Sequence, residues 1–191
     1  MGRPRSEQAR TRALDAAASI ALDSGLAAVT VDEVARRSGV AKTTIYRHFE
    51  HRNALLIAAL DRTTDRPAAP DTGSLAGDLA AFYHQLLPIF ADPAVQTLSL
   101  EVFTAAARDP ELDGLRNTFF AGRMGPLRAI LDRAVNRGEI APVDDLIAAI
   151  EIVHGPLIVR SLIAPATLAD QEPEKLAANA ARRLAEPQSR R

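Results

Sequence analysis

The sequence predicts an all-α fold, in which a small N-terminal helical domain is followed by a larger C-terminal helical domain. Apolar residues recur at three- and four-residue spacings along most of the chain, and no segment alternates convincingly with a period of two. Segment 67–74, PAAPDTGS, contains two prolines and a glycine and is the clearest loop. It separates the two predicted domains, residues 1–66 and residues 75–191.

The composition is that of an ordinary soluble globular protein. Hydrophobic residues make up 47% of the 191 residues, and charged residues make up 25%. The absence of cysteine excludes disulfides and thiolate metal sites and suits a reducing cytoplasm. Charged residues and a histidine interrupt the most apolar stretch, 146–163, which therefore predicts a buried helix rather than a membrane span. We expect a cytoplasmic protein.

The N-terminal part of the chain is basic, although the net charge of the whole is only −1. Residues 1–52 hold nine Lys and Arg and six Asp and Glu, a net +3, so the remainder carries −4. This asymmetry indicates a polyanionic partner at one end, although a solvated charged surface gives the same pattern. Four arginines form either a basic arm for phosphates or the minor groove, or a solvated tail. They are Arg3, Arg5, Arg10 and Arg12.

Four helices are predicted in the N-terminal domain, over about 6–25, 30–39, 42–48 and 52–66. Ser6 is placed to cap the first helix. The second begins with a capping box, in which the Thr30 hydroxyl accepts from the Glu33 N–H and the Glu33 carboxylate accepts from the Thr30 N–H. Val29 and Val34 are spaced as the hydrophobic staple of the same helix.

Five more helices are predicted in the C-terminal domain, near 75–90, 93–107, 110–137, 143–163 and 173–185. Three of them have a proline in the first turn, where its missing N–H costs little. Gly125-Pro126 and Gly155-Pro156 fall inside two of the longer helices and predict kinks.

Segment 42–49, KTTIYRHF, has the most specific chemistry in the sequence. Ile45 and Phe49 are four residues apart on one helix face and are expected to pack on Val31, Val34 and Val40. Because so short a helix is marginal alone, packing must hold it, and its outer face stays free for contacts. Arginine can bind guanine through two hydrogen bonds, and Thr, Tyr and Lys can reach phosphates or base edges. A helical hairpin with a polar outer face is the alternative.

The segment from Thr30 to Leu55 resembles the DNA-binding helix-turn-helix of the TetR family of bacterial regulators. The matching features are the T-V-D-E-V-A start, the R-S-G-V turn, the I-Y-x-H-F recognition helix and a basic residue three positions after Phe49. The likeness extends upstream to cover about residues 6–56. It implies that Tyr46 and Thr44 contact phosphates. The full set predicted to bind DNA is Thr30, Lys42, Thr43, Thr44, Tyr46, Arg47, His48 and Arg52, with Thr43 and Arg47 at base edges and Arg52 on the backbone.

Three positions depart from the family pattern. Ala41 stands where serine often precedes the recognition helix, and His51 stands where serine or asparagine often precedes the fourth helix. Both helix caps are therefore predicted to be missing, at a cost of about 1 kcal/mol each, which predicts a recognition helix that is mobile before DNA binds. Arg52 stands where the family favours lysine, which keeps the charge but changes the hydrogen-bonding geometry.

The resemblance is looser in the C-terminal half, where it rests on R-D-P-E-L at 108–112 and A-V-N-R-G-E-I at 134–140. TetR-type proteins are dimers whose second domain binds a small effector. The resemblance thus implies a homodimer in which helices 110–137 and 143–163 form a four-helix bundle with their mates. The predicted dimer residues, which otherwise belong to the core, are Ile147, Ile150, His154, Leu157, Ile158 and Ser161.

An effector pocket is predicted from the middle helices of the C-terminal domain. Its predicted lining is Phe82, Leu86, Phe103, Phe119, Phe120, Met124 and His154. A set of this kind forms a plain core more often than a pocket. Tyr83, Gln96, Glu101 and Arg123 are further polar candidates, each of which is otherwise exposed or satisfied locally. The chemistry of the effector cannot be inferred from these residues.

The sequence as a whole predicts a TetR-type transcriptional regulator, a repressor in preference to an activator, that binds a palindromic operator and is released by an effector. No catalytic residue, cofactor or metal site is predicted. His48 and His51 are three residues apart but lack an evident third ligand. The alternatives are an all-α hydrolase, for which no cysteine nucleophile, HExxH motif or paired carboxylate–histidine constellation is evident, and a helical adaptor that binds protein through the same surface.

Overall fold

A computed structural model describes residues 3–60, 62, 67–109 and 113–186, without the side chains of residues 3–5 and 113–123. Within these ranges the chain is helical and has no strand, in agreement with the predicted all-α fold. The helices are α1 (Arg3–Ser24), α2 (Val31–Ser38), α3 (Lys42–His48), α4 (Arg52–Leu60), α5 (Leu75–Ala91), α6 (Pro93–Arg108), α7 (Asp113–Asn136), α8 (Leu146–Val153), α9 (Gly155–Ile163) and α10 (Pro173–Ala185).

The chain divides into two compact units. Unit 1 comprises Met1–Asp65 and Thr97–Gly122, and unit 2 comprises Arg66–Gln96 and Arg123–Arg191. Helices α6 and α7 therefore each begin in one unit and end in the other. The compact units do not coincide with residues 1–66 and 75–191, and the division into those two functional domains stays a prediction.

Unit 1 is built around α1, which packs against α2, α3 and α4. Ile45 and Phe49 are buried in one cluster with Val31, Val34 and Val40, which confirms the predicted anchoring of the third helix. Leu98 and Val102 of α6 are buried in the same cluster. The core thus holds the short helix α3 on one side and leaves its other side uncovered.

Unit 2 is built around the contact of α5 with α10, with α8 and α9 packed beside them. The predicted helix 143–163 is two helices, α8 and α9, which meet at His154 with a bend of 51°. This confirms the predicted kink at Gly155-Pro156. Helix α7 continues through Pro126, where the predicted kink stays a prediction.

Two predicted helix starts are wrong in detail. Helix α1 begins at Arg3, so Ser6 lies inside it and is not its cap. The Thr30 hydroxyl does accept from the Glu33 N–H at 3.2 Å, but the Thr30 N–H donates to the carbonyl of Ala28. The Glu33 carboxylate binds Arg36 instead, so the capping box is only half formed.

Glycine ends two helices by adopting a left-handed conformation. Gly39 has φ of 65°, and its N–H donates to Ala35 at the end of α2. Gly138, with φ of 75°, ends α7 in a Schellman motif. No single described helix is both long and apolar enough to cross a membrane, although two sharply bent pairs, α5–α6 and α8–α9, reach that length and composition together.

Candidate nucleic-acid interface

A tight turn from Ser38, the last residue of α2, to Ala41 leads into helix α3. The N–H of Val40 donates to the Ser38 hydroxyl at 3.1 Å, which fixes the turn. Ala41 accepts from Thr44 and Ile45 through its carbonyl but offers no side-chain cap, as its sequence predicted. Two short helices joined in this way place the second one at the surface of the unit.

The outer face of α3 presents polar side chains to solvent. Lys42, Thr43, Tyr46 and Arg47 are exposed, and 55% of the Tyr46 surface is accessible. Thr43, Tyr46 and Arg47 make no side-chain hydrogen bond or ion pair with the described part of the chain. We call these three residues the open face of α3.

Other polar residues of α3 are tied to neighbouring helices. Lys42 forms a surface ion pair with Asp32 of α2, at 2.7 Å. His48, which is partly buried, contacts the Ser6 hydroxyl of α1 through Nε2 at 3.1 Å. The hydroxyl predicted to cap α1 therefore positions the end of α3. Thr44 is also only partly exposed.

The arginines of α2 differ from Arg47 in having acidic partners. Arg36 donates to both carboxylate oxygens of Glu33, and Arg37 donates to Asp23 at 2.7 Å. The hydrogen bonds from these arginines hold the pKa values of the Glu33 and Asp23 carboxyls below their ordinary range. The positive charge of α2 is thus largely neutralised locally, whereas that of Arg47 is not.

The N-terminal arginines lie on helix α1, which begins at Arg3, and their contact with phosphates or the minor groove stays a prediction. Arg10 places its guanidinium 5.8 Å from the centre of the Phe49 ring. Arg12 is exposed. The side chains of Arg3 and Arg5 lie outside the described residues.

Arg52 and Thr30, both predicted to bind DNA, have structural partners. The Arg52 guanidinium donates from Nε to the carbonyl of Val29 at 2.7 Å and from Nη2 to that of Leu26 at 2.6 Å. It therefore fixes the segment between α1 and α2, as the Thr30 hydroxyl fixes the start of α2. Contact of either residue with DNA stays a prediction.

The predicted missing cap at His51 is wrong. Nδ1 of His51 accepts from the N–H of Ala54 at 3.1 Å, which is the bond a serine or asparagine cap would make. Nδ1 of the ring takes about the position that the side-chain oxygen of an asparagine cap would take. A cap at this position could therefore have been predicted from the histidine in the sequence. With His48 bonded to Ser6, the two histidines are used separately.

A contact from α6 to the segment after α1 was not foreseen. Oε2 of Glu101 accepts from the N–H of Leu26 at 2.6 Å. Gly25 has φ of 82°, and a β-carbon there would lie 2.6 Å from Oε1 of Glu101. The left-handed backbone at position 25 favours glycine, and a β-carbon there would displace the Glu101 carboxylate from Leu26. Leu26 is thus fixed at both polar backbone atoms, because its N–H donates to Glu101 and its carbonyl accepts from Arg52.

The predicted effector residues are only partly brought together. Phe82, Leu86 and His154 are buried in unit 2, where Met124 is half-buried. Phe103 belongs to unit 1, and so do Phe119 and Phe120, whose side chains lie outside the described residues. The rings of Phe82 and Phe90 lie 5.9 and 6.4 Å from that of His154.

Three of the additional polar candidates are satisfied within the described part of the chain, and the side chain of the fourth, Arg123, lies outside the described residues. The Tyr83 hydroxyl donates to the carbonyl of Val153 at 2.8 Å, and the Gln96 amide donates to that of Phe90. Burial raises the pKa of Tyr83 far above its ordinary value. With Glu101 bonded to Leu26, all three have structural roles.

The predicted dimer stripe does not form one outer face. His154, Leu157 and Ser161 are buried within unit 2, and Ile150 and Ile158 are half-buried, while Ile147 is 63% exposed. The bend at His154 interrupts the helical periodicity from which the stripe was predicted. The exposed apolar side chains that sequence reasoning missed on α9 are Val159, Leu162 and Ile163.

A short helix held by two apolar anchors after a tight turn, with an open polar face, defines a helix-turn-helix DNA-binding protein. Residues 13–59 match the family model for bacterial regulatory proteins of the tetR family, and residues 69–180 match that for the tetracyclin repressor-like C-terminal domain. The chain belongs to the TetR family of transcriptional regulators.

Three similar proteins illustrate the relationship. The uncharacterized HTH-type transcriptional regulator YdeS of Bacillus subtilis is 32% identical over 94% of this chain and 91% of its own. The crystal structure of the TetR family transcription regulator SCO0332 has a TM-score of 0.72 and 27% identity, over 92% of this chain and 97% of that one. FadR from Bacillus subtilis, solved in complex with stearoyl-CoA, has the same fold at a TM-score of 0.63 and 18% identity, over 93% and 98% of the chains.

Proposed function

We propose that this regulator is a cytoplasmic repressor that binds a palindromic operator as a homodimer and is released by a small-molecule effector bound in unit 2. The observation that carries the proposal is the open face of α3. Thr43, Tyr46 and Arg47 are exposed and bond to no described residue, on a helix anchored by Ile45 and Phe49. Hydrogen-bonding groups that point outward from a helix anchored by two apolar residues suit base edges and phosphates in a major groove.

The homodimer is supported by exposed apolar side chains on α8 and α9. Ile147, Val159 and Ile163 each expose more than half of their surface. Large apolar side chains that stay exposed in one chain mark an association surface where they adjoin one another. Two copies related by a twofold axis would place two α3 helices in grooves about one helical turn apart or slightly more.

Release by an effector is supported by the match to the repressor-like C-terminal domain and by the stearoyl-CoA bound to FadR, which has this fold. An effector releases DNA only if it binds the state with unsuitable α3 spacing more tightly. Helix α6 offers a route, since it begins in unit 2 and, through Glu101, holds Leu26 beside the helix-turn-helix in unit 1.

The proposal is tested by fluorescence anisotropy with overlapping duplexes from the region upstream of the protein's own gene. We expect one duplex to bind tightly at low salt and its affinity to fall steeply as salt rises, because phosphate contacts release counterions. A protein-binding adaptor would not show this dependence. Arg47→Ala should weaken binding about tenfold or more, whereas Arg183→Ala, an exposed arginine of α10, serves as the control and should not. Absence of binding at low salt would contradict the proposal.

A further inference from the structure

His154 occupies the junction of α8 and α9, deep inside unit 2. Only 3% of its surface is accessible, and the two helices bend by 51° around it. The Phe82 ring meets the imidazole edge-on at 5.9 Å, and the Phe90 ring lies tilted at 6.4 Å. Both phenylalanines are on α5, eight residues apart, with Leu86 between them on the same face.

Neither nitrogen of this imidazole has a hydrogen-bond partner. Nδ1 and Nε2 are both buried, and neither bonds to any described residue. A neutral imidazole has one donor and one acceptor, and buried polar groups are nearly always paired in folded proteins. The neighbouring Tyr83 shows the usual solution, since its hydroxyl donates to Val153. Inside unit 2 the Tyr83 hydroxyl is therefore hydrogen-bonded, whereas the His154 ring bonds to no described residue.

The surroundings of His154 are apolar and therefore favour the neutral form of its ring. Burial lowers the pKa of His154 to about 4, so the ring is neutral near pH 7. A carboxylate or ammonium group brought beside it would lose its hydration among apolar side chains, which is costly. A hydroxyl or carbonyl group would lose far less and could form one hydrogen bond with the ring.

We propose that His154 is the polar anchor of a ligand site in unit 2, and that its ligand is an uncharged, mainly apolar molecule with a hydroxyl or carbonyl group. The ligand's polar atom pairs with a ring nitrogen, while its apolar part packs on the Phe82, Leu86 and Phe90 face of α5. Phe90 is only half-buried and marks the accessible end of that face. This inference rests on the proposed function in that the ligand is taken to be the effector.

The ligand also has a way to act on the protein through this residue. The carbonyl of His154 accepts from Ile158 at 2.9 Å and so belongs to the first turn of α9. Helix α9 carries Val159 and Ile163, which are exposed and proposed for dimer contact. A ligand bonded to the His154 ring therefore bears directly on the helix that is proposed to set the dimer geometry.

The test uses four matched probes with the full-length protein: 1-octanol, 2-octanone, octanoate and octylammonium. The protein is labelled with ¹⁵N in its histidines, and the ring signals of His154 are identified by their loss in His154→Leu. Operator affinity is measured in parallel by anisotropy. We expect 1-octanol and 2-octanone to shift the His154 signals and weaken operator binding, and the two charged probes to bind about tenfold more weakly or worse.

Two variants separate hydrogen bonding from packing. His154→Leu should bind 1-octanol about tenfold more weakly, which corresponds to about 1.4 kcal/mol and to one lost hydrogen bond. His154→Gln keeps a donor and an acceptor and should stay within about threefold of the wild type. If the leucine variant fails to fold, the wild-type signals and the glutamine variant still decide the matter.

The proposal would be overturned if no probe moved the His154 signals, if octanoate or octylammonium bound as tightly as 1-octanol, or if His154→Leu bound 1-octanol unchanged. The first result is also the one expected if a buried water completes the hydrogen bonds of the ring. Failure of the proposed function looks different, because ligand-free wild-type protein would then not bind the operator while the ring signals still responded to 1-octanol.

Discussion

On the open face of α3, Thr43, Tyr46 and Arg47 point into solvent without partners in the described chain, whereas in unit 2 the buried carboxylate of Asp78 is bonded on all sides. Asp78 accepts from the backbone N–H and the hydroxyl of Thr72 and from Arg137 at 3.0 Å. An unpaired polar group costs little in water and much in the interior. In this comparison the buried carboxylate is paired for structure, whereas the three exposed side chains bond to no described residue and are proposed to bind DNA.

The Asp78 cluster ties the start of α5 to the end of α7. Arg137 also binds Glu139, whose other oxygen accepts from the N–H of Leu75 at 2.7 Å. Burial raises the pKa of Asp78, but the bonds from Thr72 and Arg137 outweigh this effect and hold it below its ordinary value. The cluster is therefore a structural device with no group left open.

His154 combines the two situations. It is buried, as Asp78 is, but its ring bonds to no described residue, which is also true of the Arg47 side chain. By the same reasoning, its unpaired nitrogens indicate binding rather than structure. If paired polar groups serve structure and unpaired ones serve binding, substitutions of the two kinds should differ in their effects on stability and on affinity.

The largest effect on stability is expected from Asp78→Ala. It leaves the Thr72 N–H and hydroxyl without their buried acceptor, removes one of the acidic partners of Arg137, and should lower the free energy of unfolding by about 3 kcal/mol in urea titration. Glu174→Ala, which removes an exposed pair with His84, is the control and should change little. Because the pKa of Asp78 is lowered, its stabilisation is present above its ordinary pKa and is lost as acid protonates it below about pH 4. An unchanged free energy of unfolding in Asp78→Ala would show that the Asp78 cluster does not stabilise the fold.

An intermediate effect is expected from the pH dependence of His154. Its folded-state pKa lies below that of the unfolded chain, so its share of stability is complete above about pH 6.5 and falls as pH drops toward 4. Between pH 6.5 and 5, wild type should lose about 2 kcal/mol more than His154→Leu. Equal losses in both proteins would show that the ring is not buried as a neutral group.

The smallest effect is expected at the cap of α4. His51→Ala removes the acceptor for the Ala54 N–H and should cost about 1 kcal/mol, whereas His51→Asn should cost much less. Hydrogen exchange at the first turn of α4 should accelerate in the alanine variant alone. The same experiment tests the predicted mobility of α3, which has no side-chain cap at Ala41. Slow exchange throughout α3 in free protein would contradict that prediction.

The local features of the helix-turn-helix were predictable from sequence because they rest on short spacings. Ile45 and Phe49 are four residues apart on one helix, and the turn after α2 needs a glycine at position 39. The Glu101–Leu26 bond joins residues 75 positions apart, and no periodicity reports such a contact. The role of Arg52 was hidden for the same reason, since only the folded chain brings Val29 and Leu26 to its guanidinium.

In unit 2 the sequence predicted which residues are apolar but not which way they face. The bend at His154 changes the helical phase between Ile150 and Leu157, so a stripe drawn through both is not one surface. Prediction of His154 in both the dimer stripe and the effector pocket reflected that ambiguity. Its burial now excludes it from the outer face of this chain.

The central claim is that the open face of α3 serves DNA and not the fold. It is tested most directly by the triple variant Thr43→Ala, Tyr46→Ala, Arg47→Ala, with operator affinity and the free energy of unfolding measured on the same sample. The account predicts a loss of affinity of about 100-fold or more, with the free energy of unfolding changed by less than about 0.5 kcal/mol. Unchanged operator affinity, or a loss of stability large enough to explain the loss of binding, would contradict it.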